Sequence, residues 1–192
     1  VKRPDLEAIA QWVKPGSRVL DLGCGDGSLL KHLWSERQAH GYGVEIDDAE
    51  VLASMRNDVN VLQLDLESGL ALFQDASFDY VVLSETLQTI HRIEQLTREM
   101  LRVGREVIVS FPNFGHWRDR VQVLLGRMPV SAELPHQWYD TPNVHLCTLA
   151  DFEDLCARLG ARILERAVLH RGRDVRVLPN LLGSTAVYRV SA

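Results

Sequence analysis

Val19-Leu20-Asp21-Leu22-Gly23-Cys24-Gly25-Asp26-Gly27 decides the fold of this chain. Ahead of the glycines, Arg18 to Leu22 reads as a buried strand. Behind them, Ser28-Leu29-Leu30-Lys31-His32-Leu33-Trp34 has helical spacing. Gly23, Gly25 and Gly27 stand between the two, where a tight turn needs positive φ or a backbone that a ligand can approach closely. A strand, a glycine turn and a helix N-terminus in succession make a nucleotide-type site.

Outward from this point, strand and helix patterns alternate, which predicts an α/β protein with a parallel sheet. A first amphipathic helix spans Asp5 to Val13, with Leu6, Ile9, Ala10 and Val13 on one face, and Pro15-Gly16 ends it. The expected elements are then strand 17–22, helix 26–37, strand 41–46, helix 48–56, strand 59–64, strand 78–83, helix 92–102 and strand 106–111. Thr148 caps a helix over 149–159, with Asp151 placed as in a capping box and Gly160 closing it. β-rich segments at 162–169 and 185–190 finish the chain.

Residues 112–147 interrupt this rhythm with four prolines and the aromatics Phe114, Trp117, Trp138 and Tyr139. Insertions of this length are usually functional. Val121, Leu124, Leu125 and Met128 mark one short amphipathic helix inside it. The spacing leaves two roles open for that helix: covering the sheet, or forming a lid or partner-facing surface.

The 192 residues are read as one domain over 1–192, large enough to bury roughly 70% of the unfolded surface. A hydrophobic fraction of 46% and a charged fraction of 24% are those of an ordinary soluble globule. The net charge of −5 gives no bulk electrostatic case for nucleic acid. No run approaches the roughly 20 apolar residues of a membrane span, and no secretory apolar segment opens the chain. Cys24, Cys147 and Cys156 share no metal-type spacing, and their odd number argues against a disulfide framework. A reducing cytoplasm is the expected compartment, with no metal, membrane or nucleic-acid partner.

The nucleotide can be narrowed. Glu45 ends the next strand, and a carboxylate there presents two acceptor oxygens to two ribose hydroxyls. The glycine order is Asp-x-Gly-x-Gly-x-Gly rather than the dinucleotide fingerprint, and no P-loop run is present. An acid ahead of the loop suits a ligand with a cationic end better than a pyrophosphate. S-adenosyl-L-methionine, with a sulfonium, an ammonium and no phosphate, is such a ligand. Past the third strand, Asp65 is placed for the adenine amine and Leu66 for the ring, while the fourth strand ends at Ser84-Glu85. The candidate cofactor-binding set is Asp21, Gly23, Cys24, Gly25, Gly27, Glu45, Ile46, Asp65, Leu66 and Ser84. Cys24 is read within that loop as a small buried residue.

This set resembles class I S-adenosylmethionine-dependent methyltransferases over roughly residues 15–111 and the closing strands. The resemblance implies a three-layer Rossmann-like fold, a seven-stranded mostly parallel sheet with an antiparallel last strand. It also implies that Gly23, Gly25, Glu45 and Asp65 line S-adenosylmethionine or S-adenosylhomocysteine. A narrower likeness rests on Ser84 to Thr89, Met100 to Arg105, Ser110 to Arg118, Gly126 to Val130, Trp138 to Thr148 and Asn180 to Gly183. These blocks are similar to the bacterial methionine-biosynthesis MetW family over nearly the whole chain. Glu85 departs from it, standing where a neutral glutamine is expected. That likeness implies a partner of homoserine O-acyltransferase, acting as its activating or regulatory subunit, and no established methyl acceptor.

Methyl transfer from a sulfonium needs proximity and orientation, and a base only when the acceptor must lose a proton. The Asn-Pro-Pro-Tyr loop of amino-methylating enzymes is missing; Ser84-Glu85-Thr86-Leu87 stands in its place, against an adenine or amide nitrogen acceptor. His116 is the candidate catalytic base, with a loop-packing role as its alternative. A methyltransferase acting on a small carboxylate-bearing metabolite would use it beside Trp117 and Arg118. His145 is expected to fix the turn before Thr148, and Tyr139 and Asp140 to be loop scaffolding. Trp117, Arg118, Trp138 and Tyr139 are the candidate partner interface, because Trp, Tyr and Arg dominate hot spots. Arg171, Arg173 and Arg176 are placed on a solvated β-hairpin or an acidic-partner patch.

Overall fold

Val19, Leu20 and Leu22 form the fully buried strand that the glycine loop leaves. In the computed structural model, which describes residues 3–192, it is β1 (Arg18–Leu22). In chain order the elements are α1 (Pro4–Trp12), β1, α2 (Ser28–Arg37), β2 (His40–Glu45), α3 (Asp48–Arg56), β3 (Val61–Gln63), β4 (Phe78–Ser84), α4 (Ile93–Val103) and β5 (Gly104–Pro112). There follow α5 (Trp117–Leu124), α6 (Leu149–Leu159), β6 (Arg162–His170), β7 (Arg173–Asp174), α7 (Pro179–Leu182) and β8 (Thr185–Ser191). The sheet order is β3-β2-β1-β4-β5-β8-β6-β7. The first five of these are parallel, and β8 runs antiparallel to both β5 and β6.

Both faces of the central strands are covered, which is why they read as continuous apolar runs. Leu20, Val81, Leu83, Val107 and Phe111 meet Met100 and Phe152 of α4 and α6. Val19, Tyr80, Val82 and Ile108 meet Ile9 and Leu33 of α1 and α2 on the other face. The chain turns to opposite sides after β1 and β4, so a crevice opens at the C-terminal ends of these neighbouring strands.

The sheet has eight strands rather than the expected seven. The addition is β7, which pairs with the end of β6 through a two-residue turn. Arg171 (φ 51°) and Gly172 (φ 75°) both take the left-handed backbone that such a hairpin turn requires. Arg171 and Arg173 sit on this hairpin, and Arg176 follows two residues after it.

The insertion is tied down at both ends. Asn113 donates its amide nitrogen to the carbonyls of Asn180 (3.1 Å) and Gly183 (2.8 Å), and its Oδ1 accepts from Gly115 N (3.0 Å). Phe114 N donates to Cys147 O at 3.0 Å. A Cβ on Gly115 would collide with Asn180 Oδ1, so the Asn113-to-Gly115 and Asn180-to-Gly183 blocks are structural counterparts. Within the insertion, α5 stops at Leu124 because Gly126 (φ 76°) provides a left-handed exit, leaving Met128 outside the helix. Its apolar residues do not cover the sheet: Leu124 is 86% exposed and Leu125 72%. Among the described residues, no helix is long and apolar enough to cross a membrane.

Candidate functional site

The loop after β1 is a string of left-handed glycines, with φ of 69° at Gly23, 54° at Gly25 and 75° at Gly27. Gly23 N and Cys24 N both donate to Val44 O, at 2.8 and 3.1 Å, which folds the loop over the end of β2. Ser54 Oγ on α3 donates to Gly25 O at 2.8 Å. Cys24 is buried beneath, and burial pushes its thiol up to about 12, so it serves as packing rather than as a nucleophile. Gly27 starts α2 where a Cβ would lie 2.8 Å from Val59 Cγ2.

Glu45 is held rigidly at the tip of β2. Its Oε2 accepts from Gly25 N at 2.9 Å, and its Oε1 from Ile46 N at 2.7 Å and Asp47 N at 3.0 Å. Three backbone donors fix the carboxylate and leave lone-pair capacity toward the crevice. Asp65 Oδ1 accepts from Glu67 N at 2.9 Å, which leaves its second oxygen uncommitted among the described residues. A cavity of about 350 Å³ runs between these groups, lined by Gly23, Glu45, Ile46, Asp65, Leu66 and Thr86 among others.

Five cofactor candidates, the buried Cys24 among them, do not line this cavity. Asp21 is buried behind the loop, where burial pushes its carboxyl up to about 7; Arg3 opposes this, while Glu45 and Asp5 add to it. Gly25 and Gly27 shape the loop without lining the cavity. Ser84 does not face the cavity either: its hydroxyl donates to Asp5 Oδ2 (2.7 Å) and accepts from Arg3 Nη2 (2.5 Å). Asp5 is fully buried and also accepts from Ser110 Oγ at 3.2 Å.

Sequence reasoning missed this Arg3–Asp5–Ser84–Ser110 network, because an acid in a first helical turn reads as solvated. It also missed Thr86 and Thr89, which close the cavity from the turn after β4. Threonine in a turn gives no signal of that role.

His116 is not brought to the crevice. Its ring is buried at the start of α5 and stacks on His170 with centroids 5.0 Å apart. Burial and His170 both lower its pKa. Nearby on α5, burial raises the Asp119 carboxyl to about 6. Trp117 lies under Arg118, whose guanidinium carbon is 5.4 Å from the ring centroid. Trp138 and Tyr139 pack edge to face on the exposed side of the insertion. No group of three or more histidine, cysteine or acidic residues is poised for a metal among the described residues.

The chain matches the methionine biosynthesis protein MetW family over residues 3–190. It belongs to the MetW family. A MetW-containing relative, the bifunctional methionine biosynthesis protein MetXA/MetW of Rhodopirellula baltica, is 38% identical over 95% of this chain and 32% of its own length. The MetW-family chain thus spans about a third of that relative. The 2-phytyl-1,4-naphtoquinone methyltransferase of Synechococcus elongatus is 34% identical over 47% of this chain and 42% of its own. Among solved structures, an S-adenosylmethionine-dependent methyltransferase from Archaeoglobus fulgidus superposes with a TM-score of 0.73 at 16% identity, over 98% of this chain and 91% of that one. A second, from Mesorhizobium loti, gives 0.71 at 16% identity, over 98% and 96%. The fold of this MetW-family chain is therefore that of the class I methyltransferases, with one added edge strand.

Proposed function

We propose that this chain binds S-adenosylmethionine in the crevice and serves methionine biosynthesis as a regulatory subunit that associates with and activates a MetX-type homoserine O-acyltransferase. The observation that carries this reading is the relative in which MetXA and MetW are named as parts of one bifunctional protein. An exposed apolar surface supports the reading. Leu124, Leu125, Trp138 and Tyr139 are each more than two-thirds exposed on an insertion pinned to the sheet. Exposed apolar and aromatic side chains on a rigid base are what an interface core requires.

The crevice residues fit the cofactor. Glu45 presents acceptors for two ribose hydroxyls, Asp65 one for an exocyclic amine, and Ile46 and Leu66 apolar surface for a flat ring. No lysine or arginine lines the cavity, as suits a ligand without phosphate. Asp21, once ionised, supplies negative charge behind the loop for a cationic end, whereas Asp5 is balanced by Arg3. When bound, the cofactor supplies a methyl group on a sulfonium, or acts as an end-product signal. The protein's residues orient it and exclude water.

Co-purification with a homoserine O-acyltransferase, followed by acyl-transfer assays with and without S-adenosylmethionine, tests the reading. Absence of both co-elution and rate change would overturn it. Coupling between cofactor and partner must be reciprocal, so equal cofactor affinities with and without the acyltransferase would remove the sensing role.

A second reading, a methyltransferase for a small metabolite, is favoured by the intact crevice and by the methyltransferase relative. Labelled-cofactor turnover over a metabolite extract tests it. Replacing Gly25 with isoleucine separates the two: a β-branched residue at φ 54° strains the loop whose N–H holds Glu45, so methyl transfer is expected to vanish while partner association survives.

A further inference from the structure

Glu85 follows β4 with its backbone in the left-handed region (φ 52°), a conformation uncommon for a non-glycine residue. The turn it begins is a partition. Thr86 and Thr89 face the cavity described above, whereas Glu85 and Gln88 face a second and larger one of about 740 Å³. The volume lies in the range of small-molecule sites. Its other charged walls come from three separate places: Arg3 and Glu7 at the start of α1, Glu133 in the insertion and Arg171 in the β6–β7 turn. Pro112, Leu169 and Thr185 contribute to its less polar floor.

The charges are unevenly matched. Arg3 is neutralised by Asp5 at 2.7 Å and approaches Glu85 only at 3.8 Å. Glu7, Glu133 and Arg171 form no ion pair among the described residues. A simple anion entering here meets three carboxylates, and a simple cation leaves the Arg171 guanidinium unanswered. A molecule carrying both an ammonium and a carboxylate answers both kinds of wall.

We propose that this second cavity is a ligand site for an α-amino acid, its carboxylate on Arg171 and its ammonium among Glu7, Glu85 and Glu133. The site is separate from the cofactor crevice and stands whether or not that crevice holds S-adenosylmethionine. The wall between them is tied to the insertion, because Gln88 O accepts from Val144 N (2.8 Å) and His145 N (3.0 Å).

L-norleucine, its methyl ester and N-acetyl-L-norleucine share one side chain and differ in charge. Saturation-transfer NMR titrations on the whole chain are expected to show the free amino acid binding at least ten-fold tighter than either derivative. Arg171→Asn, which tolerates the left-handed backbone, and Glu133→Gln are each expected to weaken it at least ten-fold while S-adenosylhomocysteine affinity holds. If Arg171→Asn perturbs the fold, Glu133→Gln carries the test. No norleucine binding, a methyl ester that binds equally well, or displacement of norleucine by S-adenosylhomocysteine would each overturn the proposal.

Discussion

Asp21→Asn tests the electrostatic cost of the glycine loop. The native carboxyl is fully buried and lies at about 7, against an ordinary 3.8. At about 1.4 kcal/mol per pH unit this displacement amounts to about 4 kcal/mol. The sign follows from which state binds the proton more tightly. Below about pH 4 the group is protonated in both folded and unfolded chains, and no penalty exists. Between about pH 4 and pH 7 the unfolded chain loses its proton first, so this group's contribution to stability declines as pH rises. Above about pH 7 the whole penalty is present. The asparagine variant, with no charge to bury, is expected to gain up to about 4 kcal/mol over the parent at about pH 8 and little at about pH 4. Urea unfolding of both proteins across this range measures the difference, and contributions from titrating groups that do not interact with Asp21 cancel in it. A variant less stable than the parent at about pH 8, or a gain independent of pH, would refute the reasoning. The same variant is expected to bind S-adenosylmethionine at least ten-fold more weakly, because an amide replaces the charge behind the cationic end.

Gly23→Ala places a Cβ 2.7 Å from Thr86 Cγ2 on a backbone at φ 69°; we expect a loss of roughly 2 kcal/mol, partly restored by adding Thr86→Ala, in thermal unfolding. Asn113→Ala removes three hydrogen bonds, two of them buried, and strands two carbonyls; roughly 3 kcal/mol should be lost, with new protease cleavage within 115–146 as the readout. Leu124→Asp, at a position 86% exposed, should leave stability within about 0.5 kcal/mol yet weaken acyltransferase association at least ten-fold in calorimetry. Unchanged association for Leu124→Asp and for Trp138→Ala would move the interface off the insertion.

Local chemistry was the legible part of this molecule. The Thr148–Asp151 capping box starts α6 where the side-chain pattern places it, and α3 begins at Asp48 as its spacing expects, with Asp47 accepting from Ala49 N and Glu50 N. The glycine order and Glu45 announced the crevice, because a turn that needs positive φ leaves few residue choices. Long-range burial was not legible. Asp5 looks like a solvated first-turn acid until Ser84 and Ser110, distant in sequence, meet it. His116 follows a strand end, as a catalytic residue would, but the direction of α5 turns its ring toward His170. The periodicity of Val121, Leu124 and Leu125 identified an apolar face; only the packing of the remaining elements shows that none of the described residues covers it.

The closure of the insertion at Asn113 and Cys147, which form a bridge beside each other, makes the segment between them a detachable cassette. Its ends are already adjacent, so its length and surface can change without asking the sheet to move. Selection on what this surface touches is thereby set apart from selection on the crevice, save for the backbone bonds of Val144 and His145 to Gln88 that any exchanged segment has to keep. A chimera that exchanges residues 115–146 between two members of the family should carry one member's partner preference on the other's cofactor-binding frame.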